Sequence, residues 1–265
     1  MHEPLESPVR GRDAASLHED LARLVAFLAP GMPVPPTQEA RWRRFRALVN
    51  LRPPGPVSAE FLEIQDRILK SVTAAKGITR SRELAPVQDR LQLWQGDITT
   101  LEVDGIVNAA NSALLGCFHP GHDCIDNIIH TYAGVQLRQA CAEIMAEQGH
   151  PEPVGQAKLT PGFNLPARHV LHTVGPMIEG LPTEEQRQQL ASCYRACLGL
   201  AEASGLESLA LCCISTGVYR FPPREAARIA VQETKRHLAG GSRLENVVFN
   251  VFRDEDLEIY RALLA

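Results

Sequence analysis

Along the first third of the chain, apolar residues recur at helical spacing. Leu17, Leu21, Leu24, Val25 and Leu28 fall on one face, and Trp42, Phe45, Leu48 and Val49 make a second stripe. A third helix is predicted after Ser58, which can cap it, with Val57 and Leu62 at the two positions of a hydrophobic staple. Phe61, Ile64, Ile68 and Leu69 continue its apolar side. Proline-rich breaks, APGMPVPP at 29–36 and RPPGP at 52–56, separate the three. The basic run RWRRFR at 41–46 reads as a solvated helix face with Trp42 and Phe45 turned inward.

Near Pro86 the pattern changes. Short β-rich runs at 91–94, 105–107, 169–173, 208–214 and 246–252 alternate with helical runs at 126–145, 183–203, 223–238 and 254–264. Such alternation predicts an α/β layer fold with a partly parallel sheet, preceded by a helical extension over 1–86, with the α/β unit over 87–265. In open α/β sheets, ligands sit at the carboxyl ends of the strands. The loops to search are therefore 96–99, 108–127 and 215–222.

Composition narrows the function classes. The 265 residues are 45% hydrophobic and 22% charged, as in an ordinary globular protein. No run of 18 apolar residues exists, so no membrane span is expected. The start MHEPLESPVRG lacks the apolar core of a secretory signal, which points to the cytoplasm. Seven cysteines, one odd and two adjacent (Cys212 and Cys213), do not form a secreted disulfide framework. The net charge is −4, with 13 Lys and Arg against 10 Asp and Glu in 1–86, and 14 against 21 in 87–265. The acidic part is a poor nucleic-acid binder, because neutralising phosphates takes Lys and Arg. An anion bound there would rest on backbone N–H groups.

The loop STGVYRFPPR leaves an apolar strand and enters a helix with Pro223 in its first turn. Small residues there let a phosphate approach the backbone and the helix N-terminus, although a plain turn has the same signature. In QGDIT, Asp97 is read either as a turn cap or as an acceptor for an exocyclic amine. DGIVNAANS ends a buried strand in two asparagines three apart, a pattern that serves turns or hydroxyl recognition.

The densest chemistry is GCFHPGHDCIDN at 116–127. Cys117, His122 and Cys124 have the spacing C-x4-H-x-C, with thiolate and imidazole donors of the kind zinc prefers. Three ligands and an open fourth position would be a catalytic arrangement, and core cysteines without metal are the alternative. His119 and Asp123 are spare donors. Asp126 follows in the first helical turn, as a cap or as a group that orients water. His130 and His172 read as packed side chains, and Cys141, Cys193, Cys197, Cys212 and Cys213 as apolar fillers.

Five segments in order, QGDIT, DGIVNAANS, DNIIHTYAG, LPARHVLHTVGP and STGVYRFP, resemble the macrodomain family. The resemblance implies a three-layer α/β/α fold with a mixed central sheet that binds ADP-ribose. Most hydrolytic members carry a glycine-rich segment where this chain has GCFHPGHDC. That departure and the helical extension resemble the zinc-dependent macrodomain subfamily, found mainly in microbes. There a cysteine–histidine–cysteine set, matching Cys117, His122 and Cys124, holds zinc beside the scissile ribose. Asp97, with the Ile98 backbone, matches the adenine-reading position, and Asn111 the asparagine facing the distal ribose. Ser215, Thr216, Gly217, Val218 and Tyr219 match the pyrophosphate loop, and Phe252 an aromatic packed on adenine. Asp126 matches the aspartate that orients or activates water.

The resemblance thus implies a zinc-dependent hydrolase that removes mono-ADP-ribose from protein side chains, with Asp126 and Asn111 as catalytic residues. Its partners would be ADP-ribose and a mono-ADP-ribosylated protein. A sirtuin-type ADP-ribosyltransferase and a lipoyl-carrier protein are associated with the subfamily. The competing expectation is a non-catalytic ADP-ribose reader whose structural zinc is closed by His119 or Asp123. A zinc deaminase would need H-x-E and P-C-x-x-C motifs, and neither is present.

Overall fold

The computed structural model describes residues 14–265, with side chains from Ser16 onward. The stretch 1–11, read above for a targeting signal, lies outside them. Three helices come first: α1 (Ala14–Leu28), α2 (Gln38–Leu51) and α3 (Ala59–Lys76). Their apolar stripes face inward; Leu24, Phe45 and Leu69 are fully buried. Thr37 caps α2 through the Ala40 N–H, and Ser58 caps α3 through the Phe61 N–H.

Two short strands follow, β1 (Thr79–Arg80) and β2 (Pro86–Gln88), and then β3 (Leu91–Gln95), β4 (Leu101–Glu102) and β5 (Gly105–Ala110). Helices α4 (Ile125–Ala133) and α5 (Val135–Gln148) precede β6 (Ala157–Pro161) and β7 (His169–Val174). The chain closes with α6 (Glu184–Ala203), β8 (Ser208–Leu211), α7 (Pro223–Ala239), β9 (Asn246–Val251) and α8 (Asp254–Leu264). Among the described residues the main sheet has the order β2-β3-β9-β8-β5-β7-β6. Its interior pairs are parallel and its two edge pairs, β2 with β3 and β6 with β7, antiparallel. Strands β5, β7 and β9 are buried along nearly their whole length, as a sheet covered on both faces requires. Helix α7 packs against both α6 and α8, while α4 contacts both α2 and β5. The mixed α/β architecture and the preceding helices are as expected. No described helix is long and apolar enough to cross a membrane.

Four expectations are corrected. The helix over 126–145 is two helices, because Gly134 takes φ +96° between them, a conformation L side chains rarely adopt. The strand over 208–214 ends at Leu211, where the chain turns off the sheet toward Ser215 at φ +65°. The strand over 105–107 runs on to Ala110, so Asn108 lies inside it. Finally, the run 41–46 is only partly a solvated face. Trp42 and Phe45 point inward and Arg43 and Arg44 outward, but Arg46 is 8% exposed.

The apolar core is continuous from α1–α3 through the sheet to α8. Trp42 of α2 packs against Tyr132 of α4, ring centres 5.9 Å apart and tilted by 43°, so the N-terminal helices join the core beside the carboxyl ends of the strands. That contact brings them to the loops of interest.

Candidate functional site

Strand β3 ends at Gln95, and the chain turns sharply. Asp97 caps the turn Ile98–Thr100, its Oδ1 accepting from the Thr99 N–H (3.0 Å) and hydroxyl (2.6 Å). Its Oδ2 pairs with Lys76 Nζ at 2.7 Å, and that ammonium sits 3.5 Å from the centre of the Tyr132 ring. Burial alone would raise the Asp97 pKa; Lys76 and Thr99 outweigh it and hold the carboxylate below its ordinary range. Lys76 gave no signal in the sequence, because its partner lies beyond the end of its own helix.

A cleft of about 550 Å³ opens here. Asp97, Ile98, Asn250 and Phe252 line it from the strand ends. Trp42, Arg43, Arg46 and Lys76 line it from α2 and α3, and Gly121, Asp123, Ile125 and Ile128 from the far side. Phe252 is 55% exposed at the rim.

The second cluster is set by sheet register. Asn108 of β5 is paired with His172 of β7, so their side chains stand next to each other. Asn108 Nδ2 lies 3.1 Å from His172 Nδ1 and donates to Asp126 Oδ1 at 2.8 Å. Asn111 donates to Asp126 Oδ2 at 3.3 Å and to the Gly116 carbonyl at 3.0 Å, while its Oδ1 accepts from the Ala113 N–H. It therefore braces the loop as well as the carboxylate. Asp126 is 5% exposed; burial pushes its pKa up to about 6, against the Asn108 hydrogen bond and the Arg138 charge. At neutral pH it is chiefly ionised yet basic enough to accept a proton. His130, one turn on, brings Nε2 to 3.6 Å from Asp126 Oδ1, and burial drives its pKa well below normal. The sequence marked Asn108 only as half of a pair; its contact with Asp126 depends on the fold.

Between these clusters runs the loop 116–124. His119, Pro120, Gly121 and His122 form a tight turn, with His122 N–H donating to His119 O at 3.2 Å and Gly121 at φ +68°. Pro at the second position and Gly in the left-handed third suit a type II turn. The turn brings the ligand atoms of Cys117, His122 and Cys124 within 4.8 Å of one another. Cys117 Sγ is 3.5 Å from His122 Nδ1 and 3.4 Å from His119 Nδ1. Cys124 caps α4, its sulfur accepting from the Asn127 N–H. Burial pushes its thiol up to about 12, and the nearby Cys117 and Asp126 add to the rise. Two sulfurs and an imidazole in reach of one point suit a thiophilic divalent cation, which displaces the thiol protons on binding.

Among the described residues one other group has this spacing: His130, Cys141 and His172. It is fully buried, and the core satisfies part of it, with His172 Nε2 2.9 Å from Thr160 Oγ1. Burial holds Cys141 protonated, at about 12, and His172 neutral, at about 3. These are packed core groups, as the sequence suggested for His172 and Cys141.

The β8–α7 loop is the third loop at the carboxyl ends of the strands. Ser215 is buried in the left-handed region with its hydroxyl unpartnered, and Phe221 N–H returns to Ser215 O. Thr216 is half-buried, Gly217 and Val218 are exposed, and α7 begins with Pro223. Burial, and after it the Asp126 charge, raise the Tyr219 phenol pKa. The cleft beside Asp97 reaches Pro120, Gly121 and Asp123 of the thiol–imidazole loop.

A mixed α/β sheet with a cleft at its strand ends, lined by the turn after β3 and the loop before α4, defines the class of protein. The sequence matches the family described as Macro domain over residues 107–230. It is 50% identical over 89% of its length to a protein-ADP-ribose hydrolase of Treponema medium, covering 92% of that protein. A protein-ADP-ribose hydrolase of Staphylococcus aureus strain MSSA476 is likewise 50% identical, over 86% of each chain. Among solved structures, the Trypanosoma brucei macrodomain in complex with ADP-ribose superposes with a TM-score of 0.64 at 32% identity, over 83% of this chain and 95% of that one. The Oceanobacillus iheyensis macrodomain with ADP gives 0.61 at 38% identity, over 68% and 93%. The chain belongs to the Macro domain family.

Proposed function

We propose that this protein hydrolyses mono-ADP-ribose from modified protein side chains, with zinc held by Cys117, His122 and Cys124. One observation carries the reading: a buried, ionisable carboxylate, Asp126, stands beside a convergent thiol–imidazole–thiol set at the nucleotide cleft. The names of the Treponema and Staphylococcus relatives support the activity. The donor set fits zinc in softness and number. Bound there, the metal would supply Lewis acidity toward oxygens at the distal ribose.

The chain's own residues do the rest. Asp97 and the Ile98 backbone hold the adenine edge, with Phe252 over the ring. The loop from Ser215 to Tyr219 cradles the pyrophosphate with backbone donors, as suits a domain with an acidic balance. Asn111 and Asn108 fix the Asp126 carboxylate, and Asn111 exchanges its Gly116 bond for a ribose hydroxyl. Asp126 orients the attacking water and takes its proton as the bond between ribose and side chain breaks. Tyr219 shields this end from bulk water.

Incubation with mono-ADP-ribosylated protein, with and without a chelator and alongside elemental zinc analysis, tests the proposal. The expected result is one zinc per chain and release of free ADP-ribose that the chelator stops. The sirtuin-type transferase product on a lipoyl-carrier protein is the substrate to try first, in line with a cytoplasmic enzyme whose seven thiols are all free. Binding without release would favour the reader. In that case His119, 3.4 Å from the Cys117 sulfur, is the residue to close the site, since Asp123 is already paired with Arg46.

A further inference from the structure

The loop 117–123 is held in part from α2, outside the α/β unit. Arg46 of α2 donates from Nη2 to the His122 carbonyl at 2.6 Å, to Asp123 Oδ1 at 3.1 Å and to Asn127 Oδ1 at 3.4 Å. Asn50, one helical turn later on the same face, accepts the Gly121 N–H at 3.0 Å and donates to Thr131 Oγ1 at 3.0 Å. Asn127 extends the grip, its Nδ2 donating to the carbonyls of Cys117 (3.2 Å) and His119 (3.0 Å). Every backbone bond just named falls within 117–122, two of them on the carbonyls of Cys117 and His122 themselves.

The placement of Arg46 is otherwise hard to explain. It is 8% exposed, its Nε has no hydrogen-bond partner, and its one carboxylate partner, Asp123, is half exposed. Burying a guanidinium against carbonyls costs desolvation that a weak ion pair does not offset. Asn50 is 1% exposed, so its amide too is committed wholly to the loop and to α4. What these bonds provide is a fixed shape for a segment that, as a free surface loop, would have to be ordered when the metal binds.

We propose that α2 belongs to the metal-binding machinery, with Arg46 and Asn50 as positioning residues that pre-shape the loop so that Cys117, His122 and Cys124 converge before the ion arrives. The inference rests on the metal reading given above and assigns a task to the N-terminal helices. Groups that orient metal ligands typically change metal affinity 10–100-fold when removed.

Cobalt(II) titration of the chelator-stripped full chain tests this without recourse to activity, because thiolate ligation gives a charge-transfer absorption band. Wild type is expected to develop the band with one equivalent of cobalt. Arg46→Ala and Asn50→Ala are expected to bind about 10–100-fold more weakly. Arg46→Lys, which keeps one donor for the His122 carbonyl, is expected to recover part of the loss. Arg67→Ala is the control for general loosening of the helices. It breaks the Arg67–Asp20 pair between α3 and α1 without touching the loop, and should leave cobalt affinity unchanged. Wild-type affinity in both Arg46→Ala and Asn50→Ala, or an equal loss in Arg67→Ala, overturns the inference alone. No band in the wild type overturns the metal reading and this inference together.

Discussion

Asn108 donates its side-chain amide to Asp126 Oδ1 at 2.8 Å, across a boundary between a central strand and the first turn of α4. Both groups are at most 5% exposed, so this hydrogen bond aims the carboxylate without competition from water. If Asp126 takes the proton of the attacking water, Asp126→Asn should lower kcat by about 100- to 10,000-fold. ADP-ribose affinity should stay within a few fold, since the amide preserves the shape. Single-turnover release and calorimetric binding, run side by side, check the split.

The Asp97–Lys76 pair makes a claim about the other end of the cleft. Replacing the carboxylate by the amide in Asp97→Asn turns a charge-assisted acceptor into a neutral one, a loss of about 1 kcal/mol or about fivefold in ADP-ribose affinity. Lys76→Met and the double variant complete a cycle. Since the two side chains touch at 2.7 Å, the effects should not add. Strict additivity by calorimetry would mean that Lys76 does not act on base recognition through Asp97.

Gly116 is predicted to resist even alanine. It sits at φ +79°, and a Cβ there would come within 2.9 Å of the His130 ring. Gly116→Ala should destabilise the fold by about 1–3 kcal/mol, read as a lower urea midpoint with unchanged slope. Gly121→Ala is the comparison. Its φ is also positive, but no atom lies within 4 Å of the added carbon, so only the backbone strain remains.

Acid sensitivity follows from His172. Its folded-state pKa is depressed to about 3 by burial, against about 6.5 in an unfolded chain. The unfolded state therefore binds the extra proton between these values, and stability is complete above pH 6.5 and lost as the pH falls through that window. Between pH 7 and pH 5 this one group should remove about 2 kcal/mol. Asp126, with its raised pKa, acts in the opposite direction over the same range. The clean readout is therefore the difference between wild type and His172→Gln in urea unfolding at the two pH values. An identical pH dependence in both would show that His172 does not titrate on unfolding.

Local signals were legible and nonlocal ones were not. Ser58 announced its helix because a cap acts within three residues. Buried parallel strands such as β9 stood out as mainly apolar runs. The edge strands β2 and β6 escaped, because Pro86 and Lys158 dilute short, partly exposed runs. The break at Gly134 escaped too, since the apolar spacing continues across it and only the backbone angle changes. At the site, Cys117, His122 and Cys124 could be picked out because one turn brings them together. Arg46 was misread as surface because its partners lie 76 to 81 residues away in the chain. Asn108 and Lys76 acquire meaning only through register and helix packing.

The tight turn from His119 to His122 has a consequence for protein engineering. Its nine-residue cassette carries every donor atom, which makes it tempting to graft onto a related scaffold. Transplanted without the arginine and asparagine of the second helix, it would arrive with its chemistry but without its mould. A successful transfer should need both pieces, two stretches of sequence inherited as one part.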